Sequence, residues 1–222
     1  MTTSPSYPAS ERLLREELLA IVHLFHAYGW SPATSTNYSF RNTPTDGDYT
    51  FTISRSGVDK AEFMLDDFMV VDALGIPTPP YAGVRPSAET QIHTFLYARD
   101  AGIGAILHTH TVANTVLSRR CERANKKALS LTGYELLKGL SGITTHDTTE
   151  TVPVIPNAQN MDTITEQLSA YFPTENTLNR PIHGFLLASH GLYTWGRNLA
   201  EAKRHVETFE FLFECENAMN GA

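Results

Sequence analysis

The stretch His108-Thr109-His110 carries the strongest chemical signal in the chain. It follows Gly104-Ala105-Ile106-Leu107, an apolar run that reads as a buried strand. Residues two apart on a strand share a face. The two imidazoles therefore point the same way, where the strand opens into a Thr-rich turn. Two parallel neutral imidazoles suit one divalent transition metal, zinc above all. A pair of hydrogen-bonded structural histidines would give the same pattern. His190 is the best candidate for a third ligand. It ends a second apolar strand, Phe185-Leu186-Leu187-Ala188, just before Gly191. Spacing alone does not bring it to the pair, because the two segments lie far apart in the chain.

Four further segments could carry chemistry. Ala33 to Ser39 places small hydroxyl residues and Asn37 in a loop, donors fit for phosphate oxygens and equally for an ordinary Asx or ST turn. Ser54 to Lys60 combines a Ser56-Gly57 turn with the cations Arg55 and Lys60, an anion nest or a plain surface turn. Arg85-Pro86-Ser87-Ala88-Glu89 opens a helix. A helix N-terminus favours an anion, and Ser87 can cap it or bind phosphate. Glu89 falls in the first turn, where a carboxylate is favourable in any case. Glu135 and Lys138 stand three apart between Gly133 and Gly139, either a functional pair or a solvated one. The glycines at 133, 139 and 142 point to a loop that approaches something closely. The other histidines, 23, 26, 93, 146, 183 and 205, read as structural. His93 is an i,i+4 neighbour of Glu89, and His205 an exposed partner of Glu201.

These residues need a scaffold, and hydrophobic periodicity outlines one. A helix is predicted over 11–28, with Ser10 as N-cap and Gly29 as terminator. Strands are predicted over 49–53 and 68–71, and the Pro-rich 76–86 is loop. A helix from Ser87 to about Asp100 precedes the 104–109 strand, and Thr111 caps a helix to about Ser118. Strands near 128–131 and 152–155, a helix over 161–171, the 185–188 strand and a helix over 198–217 complete the chain. This mixture of helices, hairpin-length links and strands predicts a layered α/β domain around a mixed sheet. Neither GxGxxG nor GxxxxGK[ST] occurs, so no dinucleotide or NTP fold is indicated.

Composition narrows the function classes. The 222 residues carry a net charge of −7, which argues against a basic nucleic-acid face. No apolar run approaches the ~18 residues of a membrane span. Residues 1–10 are polar with two prolines and lack the features of a secretory signal; they read as a disordered lead-in. Cys121 and Cys215 form no framework or CxxC motif, which fits a reducing cytoplasm.

The ordered series Pro86-Ser87-Ala88-Glu89, His108-Thr109-His110 and His190-Gly191 resembles the class II aldolase/adducin family of zinc-dependent sugar-phosphate enzymes. Gly29 to Ser35, Ser56 to Lys60, Gly133 to Gly142 with Thr145-His146, and His190 to Gly196 resemble its dehydratase branch. That branch removes water from 5-methylthioribulose 1-phosphate in methionine salvage. The likeness runs from about residue 12 to 216. It implies one three-layer α/β/α domain over 11–218, built on a mixed, largely antiparallel sheet. It implies one zinc per subunit on His108, His110 and His190. It implies a phosphate cradle of Asn37, Ser56, Gly57 and Ser87, with Lys60 beside it. Thr36 departs from the Gly that many members carry before this Asn. The acid/base role falls on Glu135 in the dehydratase branch and on Glu89 in the aldolase branch. We expect Glu135 to act, with Glu89 as metal neighbour or substrate contact. The resemblance also implies a homotetramer with each site near a subunit boundary. The alternative activity is retro-aldol cleavage at C3–C4. A non-enzymatic module of the adducin kind would have no need of the triad.

Overall fold

The computed structural model describes residues 7–42, 49–172 and 182–220. Its centre is an eight-stranded sheet of order β3-β2-β1-β4-β8-β7-β6-β5. The strands are β1 (Asn37–Arg41), β2 (Phe51–Ser54), β3 (Phe68–Val71), β4 (Ala105–Thr109), β5 (Ala128–Thr132), β6 (Thr149–Ile155), β7 (Gly184–Leu187) and β8 (Gly191–Gly196). All neighbours pair antiparallel except β6 with β7. The helices are α1 (Ala9–Ala27), α2 (Thr90–Arg99), α3 (Val112–Arg123), α4 (Met161–Tyr171) and α5 (Leu199–Asn220).

Strand alternation builds the layers. On β4, Ile106 packs with Ile92 and Leu96 of α2, and further along the same core lie Ile164 and Leu168 of α4. Its neighbours Ala105 and Leu107 pack on the opposite face with α1 and with Leu199, Ala202 and Val206 of α5. The far half of that face is filled by Leu117 of α3 and Phe209, Leu212 and Phe213 of α5. The result is the expected α/β/α sandwich on a mixed, largely antiparallel sheet. Among the described residues, no helix is long and apolar enough to cross a membrane.

Several boundaries differ from the sequence reading. Asn37 to Arg41 is a strand, although its first residues read as loop, because Asn37 and Ser39 put polar groups on the α2 face. Gly191–Gly196 is also a strand, where only a motif was read. Helix α1 starts at Ala9, so Ser10 lies inside it. The lead-in is correspondingly shorter. Tyr7 donates to Asp66 and stacks on Arg15, while residues 1–6 lie outside the described residues. Ser87 accepts from the Glu89 N–H, and α2 begins only at Thr90.

Candidate metal centre and its surroundings

The centre forms where β4, β8 and the turn before β8 meet. The antiparallel register sets His108 opposite Tyr193 and Thr109 opposite Leu192. This adjacency carries the Ser189-His190 turn to the end of β4. The ligand nitrogens of His108, His110 and His190 all lie within 4.8 Å of one another. Nε2 of His108 and Nε2 of His110 are 2.7 Å apart. Around a tetrahedral zinc, with bonds of about 2.1 Å, nitrogens sit roughly 3.4 Å apart. The three nitrogens are close enough to converge on one metal ion.

Each ring is oriented from behind. His108 Nδ1 donates to the Leu192 carbonyl at 2.8 Å, which leaves Nε2 with a free lone pair. Its ring stacks on Tyr193 at 4.0 Å and 12°. His190 Nδ1 faces Asn157 Oδ1 at 3.4 Å. The turn that presents His190 is gripped by α3. Ser118 Oγ accepts from the Ser189 N–H at 3.0 Å, and Thr115 donates to the His190 carbonyl at 3.1 Å. Burial drives the His108 imidazole well below its ordinary pKa, against the pull of Glu89. Burial and then His190 push His110 down to about 4. Both rings are neutral at physiological pH, as metal ligands must be.

Glu89 reaches this centre from the start of α2. Its Oε1 lies 3.1 Å from His190 Nε2, and its Oε2 lies 3.4 Å from His108 Nε2. Tyr193 OH and Asn37 Nδ2 each donate to Oε2 at 2.6 Å. Burial pushes the Glu89 carboxyl up, but His108, His190 and the Tyr193 hydroxyl outweigh it and hold it well below the usual carboxylate range.

The predicted phosphate residues are placed unevenly. Ser56 donates its N–H to the Arg85 carbonyl at 3.2 Å, so the Ser56-Gly57 turn lies against the segment leading to Ser87. Gly57 has φ +76°, a left-handed turn open to solvent that glycine adopts without strain. Lys60 is fully buried, donates to the Val58 carbonyl at 3.0 Å, and is close enough to His110 to depress its pKa. Burial lowers Lys60 itself to about 8. Asn37 differs from the expectation. Its amide is engaged on both sides, by Glu89 and by His93, so it serves the carboxylate first.

Glu135 stands apart. It begins a 3₁₀ turn, Glu135–Gly139, and its side chain is 71% exposed. Its partners are Lys138 at 2.5 Å and His146 at 3.3 Å; among the described residues none of its hydrogen bonds or ion pairs reaches the triad. The turn is anchored further on, where Ser141 donates to Glu201, gives its N–H to His205 and accepts from His183. His205, expected to be exposed, is 3% exposed because it supports this anchor and donates to the Trp195 carbonyl.

Two contributions escaped the sequence reading, Glu210 itself and the close packing that Gly191 permits. Glu210 of α5 is buried beneath the His pair and accepts from Thr109, Thr111 and Asn114 at 2.6, 2.7 and 2.9 Å. Its only sequence signal is a carboxylate between Phe209 and Phe213 on a helix that otherwise buries apolar residues. Burial pushes it from 4.5 up to about 7, partly offset by its three donors. In the metal-free protein the folded state therefore holds a proton that the unfolded chain releases between those values. Stability should fall by about 3 kcal/mol as pH rises from 4.5 to 7 through this group, and E210Q should flatten that slope in urea melts. The second lies at Gly191. A Cβ there would meet the Thr109 carbonyl oxygen at 2.3 Å, His108 Cε1 at 2.8 Å and His110 Cδ2 at 3.1 Å. G191A should weaken metal binding at least tenfold in chelator competition; a variant that retains full affinity would show that the turn can yield.

The fold and the triad can now be set beside known proteins. A model of the class II aldolase and adducin N-terminal domain matches residues 16–216. The chain belongs to this family. Its relatives include a protein of Picosynechococcus sp. named methylthioribulose-1-phosphate dehydratase, 48% identical, with 91% of this chain and 90% of the relative covered. One of the same name from Sorangium cellulosum is 42% identical, covering 93% and 92%. The fold resembles that of an L-fuculose-1-phosphate aldolase from Thermus thermophilus, with a TM-score of 0.68 and 23% identity over 95% of this chain and 98% of that one. A sugar-phosphate aldolase from Thermotoga maritima gives 0.66 and 16% over 96% of each chain. This family member thus shares its architecture with aldolases and its sequence with dehydratases.

Proposed function

We propose that the chain is a zinc-dependent hydro-lyase that converts 5-methylthioribulose 1-phosphate to 2,3-diketo-5-methylthiopentyl 1-phosphate and water, in methionine salvage. The observation that carries this reading is the joining of His108, His110 and His190 within 4.8 Å, in a chain 42–48% identical to proteins named for that reaction. A metal held there supplies a Lewis acid that polarises the C2 carbonyl and makes the C3 proton acidic.

The chain's own groups do the rest. Ser56, Gly57 and Ser87 offer donors to the phosphate, and Lys60 brings a buried positive charge that donates to the Val58 carbonyl. Glu89 is a fixed anion beside the triad. Held well below the usual carboxylate range it is a weak base, which suits a metal neighbour or substrate contact. Glu135 is the acid/base. It takes the C3 proton, and the C3–H electron pair forms a C2–C3 double bond as the C2 carbonyl π pair moves onto its oxygen; that oxygen pair then re-forms the carbonyl, the C2–C3 pair shifts to C3–C4, and the C4 hydroxyl leaves as water with the proton that Glu135 holds. The enol that remains tautomerises to the diketone. Glu135 is exposed and, among the described residues, makes no hydrogen bond or ion pair to its own triad; in our reading a neighbouring copy in a homotetramer presents it. The assembly is cytoplasmic and takes a small sugar phosphate, with no nucleic acid or membrane partner.

The test is product analysis on 5-methylthioribulose 1-phosphate before and after chelation. A diketone formed only with metal supports the dehydratase. An aldehyde fragment from C3–C4 cleavage would replace this reading with the aldolase one.

A further inference from the structure

Helix α2 and strand β1 face each other with nearly equal repeats. Four helical residues advance about 6 Å and two strand residues about 6.6 Å. His93 and Tyr97 fall on one stripe of α2, continued by Glu89 at its N-cap, and Asn37 and Ser39 on the facing side of β1. Their side chains interleave into a ladder. Asn37 Nδ2 contacts Glu89 Oε2 at 2.6 Å, and His93 Nε2 contacts Asn37 Oδ1 at 2.5 Å. Ser39 Oγ contacts His93 Nδ1 at 2.7 Å and Tyr97 OH at 2.8 Å. Ser39, His93 and Tyr97 are buried, and Asn37 is 2% exposed, so water cannot substitute for these partners.

Donor accounting gives the ladder one direction. Glu89 is a carboxylate and can only accept, so the Asn37 NH2 must face it. Asn37 Oδ1 then faces His93 and needs a proton from Nε2. His93 Nδ1, left bare, accepts from the Ser39 hydroxyl, and Ser39 Oγ accepts from Tyr97. Reversing the order would flip the Asn37 amide and set its oxygen against the carboxylate. We propose that His93 is a positioning residue: as a neutral Nε2–H imidazole it locks the Asn37 amide, and so fixes Glu89 through Oε2, with Oε1 toward His190 and Oε2 toward His108. Burial, which drives the His93 pKa down to about 3, keeps the ring neutral as the ladder requires. Hydrogen bonds aligned in one direction polarise one another, so the ladder strengthens its last member, at Glu89.

Long-range proton–nitrogen NMR of His93 in the intact protein reads the tautomer directly. We expect a protonated Nε2 and a bare Nδ1 at neutral pH; an Nδ1–H tautomer or an imidazolium overturns the proposal. Kinetics give a second readout. H93L removes the donor, while H93Q keeps an N–H near the same place. H93L should lower kcat/KM roughly tenfold to a hundredfold, with the weaker metal or substrate binding expected of E89Q, and H93Q should recover most of the loss. Wild-type kcat/KM in H93L, or H93Q no better than H93L, overturns it. The kinetic arm rests on the dehydratase reading. Absence of turnover by the wild-type enzyme would count against that reading alone, and the NMR tautomer would still decide the ladder.

Discussion

Replacing His110 with alanine is expected to cut turnover of 5-methylthioribulose 1-phosphate by at least about a thousandfold. The same change should bring bound metal well below one equivalent per chain. Two imidazoles would remain, one of them with its Nε2 lone pair facing the gap. Loss of one of three ligands removes both affinity and the geometry that holds the ion. The fold should survive. His110 sits beyond the end of β4, is partly exposed, and belongs to none of the three apolar cores. Far-ultraviolet circular dichroism and the thermal midpoint should therefore stay near wild type while metal analysis and turnover collapse. Full turnover in H110A, or full activity after exhaustive chelation, would remove the metal from the mechanism.

E135Q should lose about a hundredfold to ten-thousandfold in kcat, the range assigned to a general acid–base group, with metal content unchanged. E89Q should lose less, and its loss should be accompanied by weaker metal or substrate binding, because Glu89 touches two of the three ligands. If E135Q turns over normally while E89Q is dead, the two roles are reversed. Mixing the variants tests where Glu135 acts. E135Q and H110A protomers, each inactive alone, should recover about a quarter of wild-type activity after subunit exchange if the site is shared between copies. No recovery would confine Glu135 to its own chain's triad. That result would require the 135–139 turn to move, since its carboxylate is engaged by Lys138 and His146.

Much of the scaffold was legible because hydrophobic period is a local property. The 161–171 helix and the 68–71 strand match the predicted bounds, and the 104–109 strand differs by one residue. The two strands that were missed flank β4 and build the site. Asn37 and Ser39 of β1 trade apolar side chains for the polar ladder to α2, so only one face of that strand keeps a hydrophobic signal. Glycine ends and a short span hid β8. Glu210 was invisible for a related reason: a carboxylate on an inner helical face is recognised only when its three donors, from the end of β4, the turn after it and the first turn of α3, are seen around it.

Residue types and local period thus sufficed to name the His pair, its shared direction, the α/β class and the third histidine. They could not place that histidine. His190 reaches the pair only because β8 lies beside β4, in the register that sets Tyr193 against His108. They could not rank the carboxylates by position either: Glu89 lies at the triad and Glu135 on the surface because α2 packs over β1 while the 135–139 turn lies against α5. Side-chain alternation follows from the chain itself. Register between strands distant in sequence follows from how whole faces bury against one another, and here that packing gathers three scattered histidines into one candidate metal centre.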